Sequence, residues 1–229
     1  MTENSSAIIE PLHRKRIKHS IENAEKYLRR KTKKHQAEMA LLKRGFSLLA
    51  RQPATVLDAP CGVGRATIFL ACNGYQTTGI DLGEGAVRLA RQQIKKSGVS
   101  ATIDKGDLLD LPYNNRQFDA LLCFRLLHHL PTVEFRGQII AELCRVSADY
   151  VLISYLSPKS YTSIKRSLRY QLTGKKSVQN TTSLAEIKKL FASQGFNFVR
   201  DIPQLQFFHS LHLAIFSRNG KELIPPHYK

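Results

Sequence analysis

The chain has 229 residues, 42% of them apolar, and carries 35 Lys and Arg against 18 Asp and Glu, for a formal net charge of +17. A chain of this length and composition builds its core without disulfide staples and is not collagen-like, low-complexity or disordered overall. No apolar run approaches the roughly 20 residues that a membrane-spanning helix requires, and the first 20 residues lack the apolar core of a secretory signal.

The charge is unevenly placed. Residues 1–51 hold 13 Lys and Arg and 5 Asp and Glu, residues 52–150 hold 10 of each, and residues 151–229 hold 12 and 3. A neutral middle is therefore flanked by basic segments. Such a field favours a polyanion: nucleic acid, an anionic membrane surface or an acidic small molecule. Simple solubility is the alternative. Cys61, Cys72, Cys123 and Cys144 are widely spaced, so neither a disulfide framework nor a zinc site is expected. Free thiols fit a reducing compartment, and a cytoplasmic setting, with peripheral contact at an inner membrane surface, is the expectation.

Residues 1–19 read as a loose basic tail, and 1–51 as a basic amino-terminal helical extension. From Ser20 to about Ala50 the pattern is helical, with Met39, Leu42, Phe46 and Leu49 on one face. Residues 29–36 have no apolar member and are either an exposed basic turn or a break between two helices. Pro53 ends the segment. Strand and helix signals then alternate: strand Thr55–Ala59, helix Arg65–Cys72, strand Gln76–Ile80, helix Glu84–Lys96 with Gly98 beyond its end, and short strand Ala101–Ile103. Strand Phe118–Phe124, helix Phe135–Val146 and strand Tyr150–Tyr155 follow. The helix at Ser183–Ser193 opens on a capping box of Ser183 and Glu186. Strands Phe196–Val199 and Leu211–Phe216 finish the pattern, with no helix between them, and can pair as an antiparallel hairpin.

This alternation predicts an α/β fold: a Rossmann-like, doubly wound, mostly parallel seven-stranded sheet with an antiparallel edge strand, over residues 52–229. Residues 156–182 form an insertion with Lys159, Lys165, Arg166, Arg169, Lys175 and Lys176 and no acidic residue. Placed at the strand-end rim, where ligands bind in open α/β sheets, it is read as an acceptor lid.

The strongest local signal runs from Val56 to Thr67 (VLDAPCGVGRAT). A buried strand ends in an acid, a small-residue turn follows and a helix begins. Gly62 and Gly64 allow close backbone approach, and the helix amino terminus offers N–H groups to a negative group. A P-loop needs Lys-Ser/Thr, and a dinucleotide fold wants GxGxxG; this turn has neither. The turn resembles motif I of the class I S-adenosylmethionine-dependent methyltransferases, usually (V/L)LDxGCGxG. The resemblance extends over about residues 54–156 and is nearest to the small-molecule branch that includes the ubiquinone/menaquinone methyltransferases. Asp81, 23 residues after Asp58, ends the second strand, where a carboxylate can hold both ribose hydroxyls. Gly106-Asp107-Leu108 through Pro112 resembles the GDxxxLP adenine-binding stretch, and Phe118–Phe124 followed by Leu127-His128-His129-Leu130 resembles the run after strand four.

The resemblance implies S-adenosylmethionine as cofactor, held by Asp58, Ala59, Gly62, Gly64, Asp81, Leu82, Asp107, Leu108 and Phe124. One departure is Pro60, which stands where the family has the first glycine of the turn, fixing φ and removing a donor. His128 and His129 are candidate bases; taken as extended backbone, at most one faces the pocket, and both can instead be structural. Arg125, Tyr155 and Tyr161 are candidates for the acceptor side. The Asn/Asp-Pro-Pro-Tyr signature of amino-group methylation, the CxxxCxxC of radical chemistry and the GxSxG of hydrolases are absent. Three functions remain: methylation of a small or lipid-linked acceptor, at a membrane surface or free; methylation of RNA gripped by the basic flanks; or a non-catalytic scaffold that binds a polyanion or partner. No metal is expected.

Overall fold

The computed structural model describes residues 32–160, 180–205 and 210–218, together with Thr162, Ser163, Lys165, Arg169, Gln171 and Leu172. The basic tail, the beginning of the helix expected from Ser20, Tyr161 and about half of the 156–182 insertion, Arg166, Lys175 and Lys176 included, lie outside the described residues.

Helix α1 spans Thr32–Ser47. It passes through the apolar-free residues 32–36 without a break, and its buried stripe is Leu41, Leu42 and Phe46, with Leu49 just beyond. Seven strands follow: β1 (Thr55–Asp58), β2 (Gln76–Asp81), β3 (Ala101–Lys105), β4 (Phe118–Cys123), β5 (Ser147–Leu156), β6 (Asn197–Pro203) and β7 (Leu211–Ser217). Between them run α2 (Arg65–Cys72), α3 (Glu84–Ser97), a 3-10 turn (Leu127–His129), α4 (Val133–Val146) and α5 (Leu184–Ala192). Gly98 terminates α3 in the left-handed conformation, at φ 70°. The Ser183 side chain caps α5 by accepting the Glu186 N–H.

One sheet holds all seven strands in the order β3-β2-β1-β4-β5-β7-β6. The pairs β1–β2, β1–β4, β2–β3 and β4–β5 are parallel. The last two strands form the expected antiparallel hairpin, and β7 inserts between β5 and β6, antiparallel to both.

Both faces are covered, so the central strands are apolar at consecutive positions rather than alternating. Leu57, Leu121, Val151, Ile153 and Phe216 face α4 and α5, packing with Ile139, Ile140, Ile187 and Phe191. Val56, Leu122, Leu152, Leu213 and Ile215 point the other way, onto Leu41, Leu42 and Phe46 of α1 and Leu70 of α2. A third cluster joins Val87, Ala90 and Ile94 of α3 to Ile103 and Cys61.

Candidate functional site

Strand order reverses between β1 and β4: β2 and β3 lie to one side, β4 and β5 to the other. In an open sheet the crevice outside the carboxyl ends at this switch is where a ligand fits. Every loop singled out above leaves the sheet at that rim.

The turn after β1 is pinned from both sides. The Ala59 N–H donates to the Leu122 carbonyl at 2.9 Å, and Cys61 N–H to that of Ile80 at 2.8 Å. The Ala59–Pro60 bond is cis. Gly62 and Gly64 take φ of 57° and 81°, a left-handed conformation that favours glycine. A Cβ on Gly64 would sit 3.2 Å from the Ala90 Cβ. Beneath the turn, a Cβ on Gly79 of β2 would lie 2.9 Å from both the Cys61 Cβ and the Thr67 Oγ1. The turn therefore lies directly on the β2 backbone.

Asp58, at the tip of β1, is 1% exposed. Its Oδ2 accepts a 2.7 Å hydrogen bond from Thr67 Oγ1 on α2. Its Oδ1 is buried with no hydrogen-bond partner among the described residues. Burial pushes this carboxyl up to about 7; the Thr67 bond pulls against that, and the nearby Asp81 charge adds to it. Burial and then the Asp58 charge raise the Cys123 thiol, so that thiol stays protonated.

Asp81 joins the loops. Its Oδ2 accepts from Gly62 N–H at 2.9 Å and its Oδ1 from Gly83 N–H at 2.8 Å. Its carbonyl accepts from Gly106 N–H at 3.2 Å, which brings the third loop alongside. There Asp107 Oδ1 accepts from Leu109 N–H at 3.0 Å, while Leu108 is buried in the core facing α4 and α5. Ala59 is fully buried and Leu82 partly so. Phe124, past the end of β4, is half-buried against α1 and α2. The structure thus gathers the predicted residues from β1, β2, β3 and β4 at one rim.

The two histidines differ from the expectation in backbone. Leu127–His129 is a 3-10 turn rather than extended chain, because the N–H groups of His129 and Leu130 close back on the carbonyls of Leu126 and Leu127. His128 is fully buried and His129 exposed, with ring centroids 4.1 Å apart. The His128 carbonyl accepts from Asn180 N–H at 2.9 Å, so this turn anchors the far end of the insertion.

One site residue escaped the sequence reading. Glu38 of α1 is 0% exposed. Its Oε1 lies 3.0 Å from Arg125 Nη1, and its Oε2 4.0 Å from Arg65 Nη2. Arg125 follows β4 at φ 64°, and its N–H donates to Ser154 Oγ of β5 at 2.6 Å. Arg65 begins α2, directly after the glycine turn. Glu38 thereby ties α1 to both sides of the switch point. The signal was present: Glu38 occupies the stripe of Leu41, Leu42 and Phe46, and an acid at a core position requires a charged partner.

Comparison with known proteins agrees with this geometry. Residues 56–149 match the model of a methyltransferase domain. The norajmaline N-methyltransferase of Rauvolfia serpentina is 33% identical over 121 residues, 48% of this chain and 40% of that protein. The ubiquinone biosynthesis O-methyltransferase of Nitrosospira multiformis is 32% identical over 109 residues, 46% of this chain and 45% of its own. These matches span less than half of the relatives' length. Among solved structures, magnesium protoporphyrin IX methyltransferase from Synechocystis PCC 6803 with bound SAH superposes with a TM-score of 0.67 at 21% identity, covering 82% of this chain and 83% of that one. A Pyrococcus horikoshii OT3 protein gives a TM-score of 0.65 at 18% identity, covering 80% and 90%. At such identities the structural likeness concerns the fold.

Proposed function

The chain carries a class I S-adenosylmethionine-dependent methyltransferase domain, and from that premise we propose that it methylates a small or lipid-linked acceptor by in-line displacement. The observation that carries the reading is Asp58: a buried carboxylate with one oxygen unpartnered, beside a glycine turn that lies against β2. A carboxylate so placed fits a cationic ligand, and the cofactor bears an ammonium group and a sulfonium.

Each residue then has a role in holding the group. Asp58 receives the ammonium. Gly62 and Gly64, with Ala59, let the backbone approach without side-chain interference. The Asp81 oxygens each take one backbone N–H and keep acceptor capacity for the ribose hydroxyls. Asp107 and Leu108 hold the adenine edge, and Leu82 and Phe124 supply apolar walls. When bound, the cofactor supplies a methyl group already activated on sulfur. What remains for the protein is to position the acceptor and exclude water. The relatives named for N- and O-methylation of small molecules support a small-molecule acceptor. The basic flanks support an anionic surface as a partner.

The test is incubation with methyl-labelled S-adenosylmethionine and cell extract, separated into lipid, small-molecule, RNA and protein pools. Label in the lipid or small-molecule pool that disappears with Asp81→Ala is expected. Label in the RNA pool would overturn the acceptor class. No label despite cofactor binding would overturn the enzymatic reading. For the membrane surface, binding to anionic vesicles that weakens with salt is expected, and no binding at low salt would remove that partner.

A further inference from the structure

A cavity of about 500 Å³ opens at the same rim, beyond the Asp58 loop, lined by the tips of β5, β6 and β7, the segment after β5 and the start of α5. Its walls are mainly apolar, with Leu184 and Pro203 among them, and its volume suits a small organic molecule. The polar groups converge at one end. Register places Tyr155 of β5 and Pro203 of β6 on either side of His212 of β7. His212 Nδ1 lies 2.7 Å from Asp201 Oδ2, and its ring centroid is 5.3 Å from that of Tyr155. The His212 and Asp201 side chains are 18% and 20% exposed, so a molecule in the cavity can reach them. Asp201 Oδ1 is buried with no hydrogen-bond partner among the described residues.

The cavity opens at the same end of the sheet as the loops that carry Asp58 and Asp81. The Arg125–Ser154 hydrogen bond locks the exit of β4 to β5 one residue before Tyr155. β5 is two strands from β1, a step of about 10 Å at ordinary strand spacing. His212 on β7 is one strand further out, about 14 Å from β1, a span that a small organic molecule reaching from the cavity toward β4 can cover.

We propose that this cavity receives the acceptor as a largely apolar molecule bearing a hydroxyl, and that His212, oriented by Asp201, takes the hydroxyl proton as the methyl group moves. The proposal rests on the methyl-transfer reading above and adds the acceptor group and its base. With Nδ1–H directed to the Asp201 carboxylate, Nε2 is the basic nitrogen of His212. The step balances. The acceptor oxygen forms a bond to the methyl carbon, the carbon–sulfur bond breaks, and its electron pair stays on sulfur as a neutral thioether. The proton moves from oxygen to Nε2, leaving an imidazolium that Asp201 stabilises and solvent later deprotonates. A hydroxyl is favoured because it keeps its proton until transfer begins, whereas an ammonium must already have lost one to become a nucleophile.

The titratable groups that line the cavity with His212 are Asp201 from β6, Tyr155 from β5 and Lys159 from the segment after β5; the wall from α5 is Ser183, Leu184 and Ala185. Burial, and then the Asp201 charge, raise Tyr155, which stays a neutral phenol and does not compete as a base.

The test uses the full chain with 2-naphthol as both fluorescent ligand and surrogate acceptor, in wild type, His212→Gln and Ala185→Phe. S-adenosylhomocysteine binding by calorimetry checks folding and the underlying cofactor reading; it is expected to be equal in all three. Ala185→Phe narrows the cavity and is expected to weaken 2-naphthol binding at least about tenfold. His212→Gln keeps a donor toward Asp201 and is expected to bind 2-naphthol within about threefold of wild type. It should slow formation of 2-methoxynaphthalene by about a hundredfold or more, the range of a lost general base, and remove the dependence of kcat/KM on pH that such a base gives the wild type. Absence of 2-naphthol binding, or binding indifferent to Ala185→Phe, overturns the cavity assignment. Binding without methylation by wild type, or equal methylation by His212→Gln, overturns the base. Failure of S-adenosylhomocysteine to bind wild type would instead overturn the cofactor reading.

Discussion

Asp58 gives the cofactor proposal its sharpest test. Its carboxyl sits near 7 when buried, against 3.8 in the unfolded chain. At pH 6 about 0.9 of the ligand-free molecules carry the proton, and at pH 8 about 0.1. A cationic ligand that pairs with the carboxylate lowers its pKa and expels that proton. Binding of S-adenosylhomocysteine should therefore release close to one proton at pH 6 and almost none at pH 8. Calorimetry in two buffers of different ionisation enthalpy reads the number directly. Asp58→Asn keeps the shape and can still accept from Thr67; it should release none at either pH and bind more weakly. The same shift shapes stability without ligand. Between about pH 4 and pH 7 the unfolded Asp58 has lost its proton and the folded one has kept it, so the folded state binds more protons. This group's contribution therefore falls as pH rises through that window, by about 4 kcal/mol in total, and is flat above 7. Asp58→Asn should remove that decline. Equal proton release by wild type and Asp58→Asn at pH 6 would refute the reasoning.

Thr67→Val removes the hydrogen bond that opposes the burial effect, so the midpoint of proton release should move to higher pH in the same calorimetric series. Glu38→Ala leaves Arg125 and Arg65 facing a buried gap and should destabilise by about 3 kcal/mol in urea unfolding; a loss below about 0.5 kcal/mol would mean that α1 docks on apolar contacts alone. Gly64→Ala forces a side chain into φ 81° with its Cβ 3.2 Å from Ala90, at a cost of about 1–2 kcal/mol, and should weaken S-adenosylhomocysteine binding in parallel. Neutralising Lys165, Arg166 and Arg169 together should weaken acceptor use and leave cofactor affinity unchanged; equal loss of both would make the segment structural.

Elements with a local signature were legible. The boundaries of α2 match the sequence reading because an acid, a glycine turn and an octet with six apolar residues announce them. β1 and β4 were read one residue long, whereas β2, β3, β5, β6 and β7 were read short where their ends carry polar residues. β5 starts at Ser147, three residues before the apolar run, and its buried Ser147 hydroxyl bonds the Tyr150 carbonyl. β6 extends to Pro203 through Arg200 and Asp201, which no apolar pattern marks. That run holds Asp201, which meets His212 only through the antiparallel register of β6 and β7, shifted by an irregularity between Phe198 and Arg200. A pair created by register leaves no spacing rule in the chain. The loops carrying Asp58, Asp81 and Asp107 were legible because each acid ends a strand or stands two residues beyond one, and parallel strands deliver their tips to one rim.

The place of β7 has a consequence for how the chain is made. Leu211, Leu213, Ala214, Ile215 and Phe216 are fully buried, and this last strand supplies the partner that both β5 and β6 lack until it arrives. It also covers α1, since Leu41, Leu42 and Phe46 pack in one cluster with Leu211, Leu213 and Ile215. During synthesis the helix made early must wait, its apolar stripe only partly covered by β1, β4 and β5, for a strand made more than 150 residues later. Folding alongside the ribosome can assemble β1 to β5 before β7 emerges, and the sheet closes only once β7 is available. A nascent chain stalled before Leu211 exposes a helix face and two open strand edges at once, which is the form a chaperone would meet.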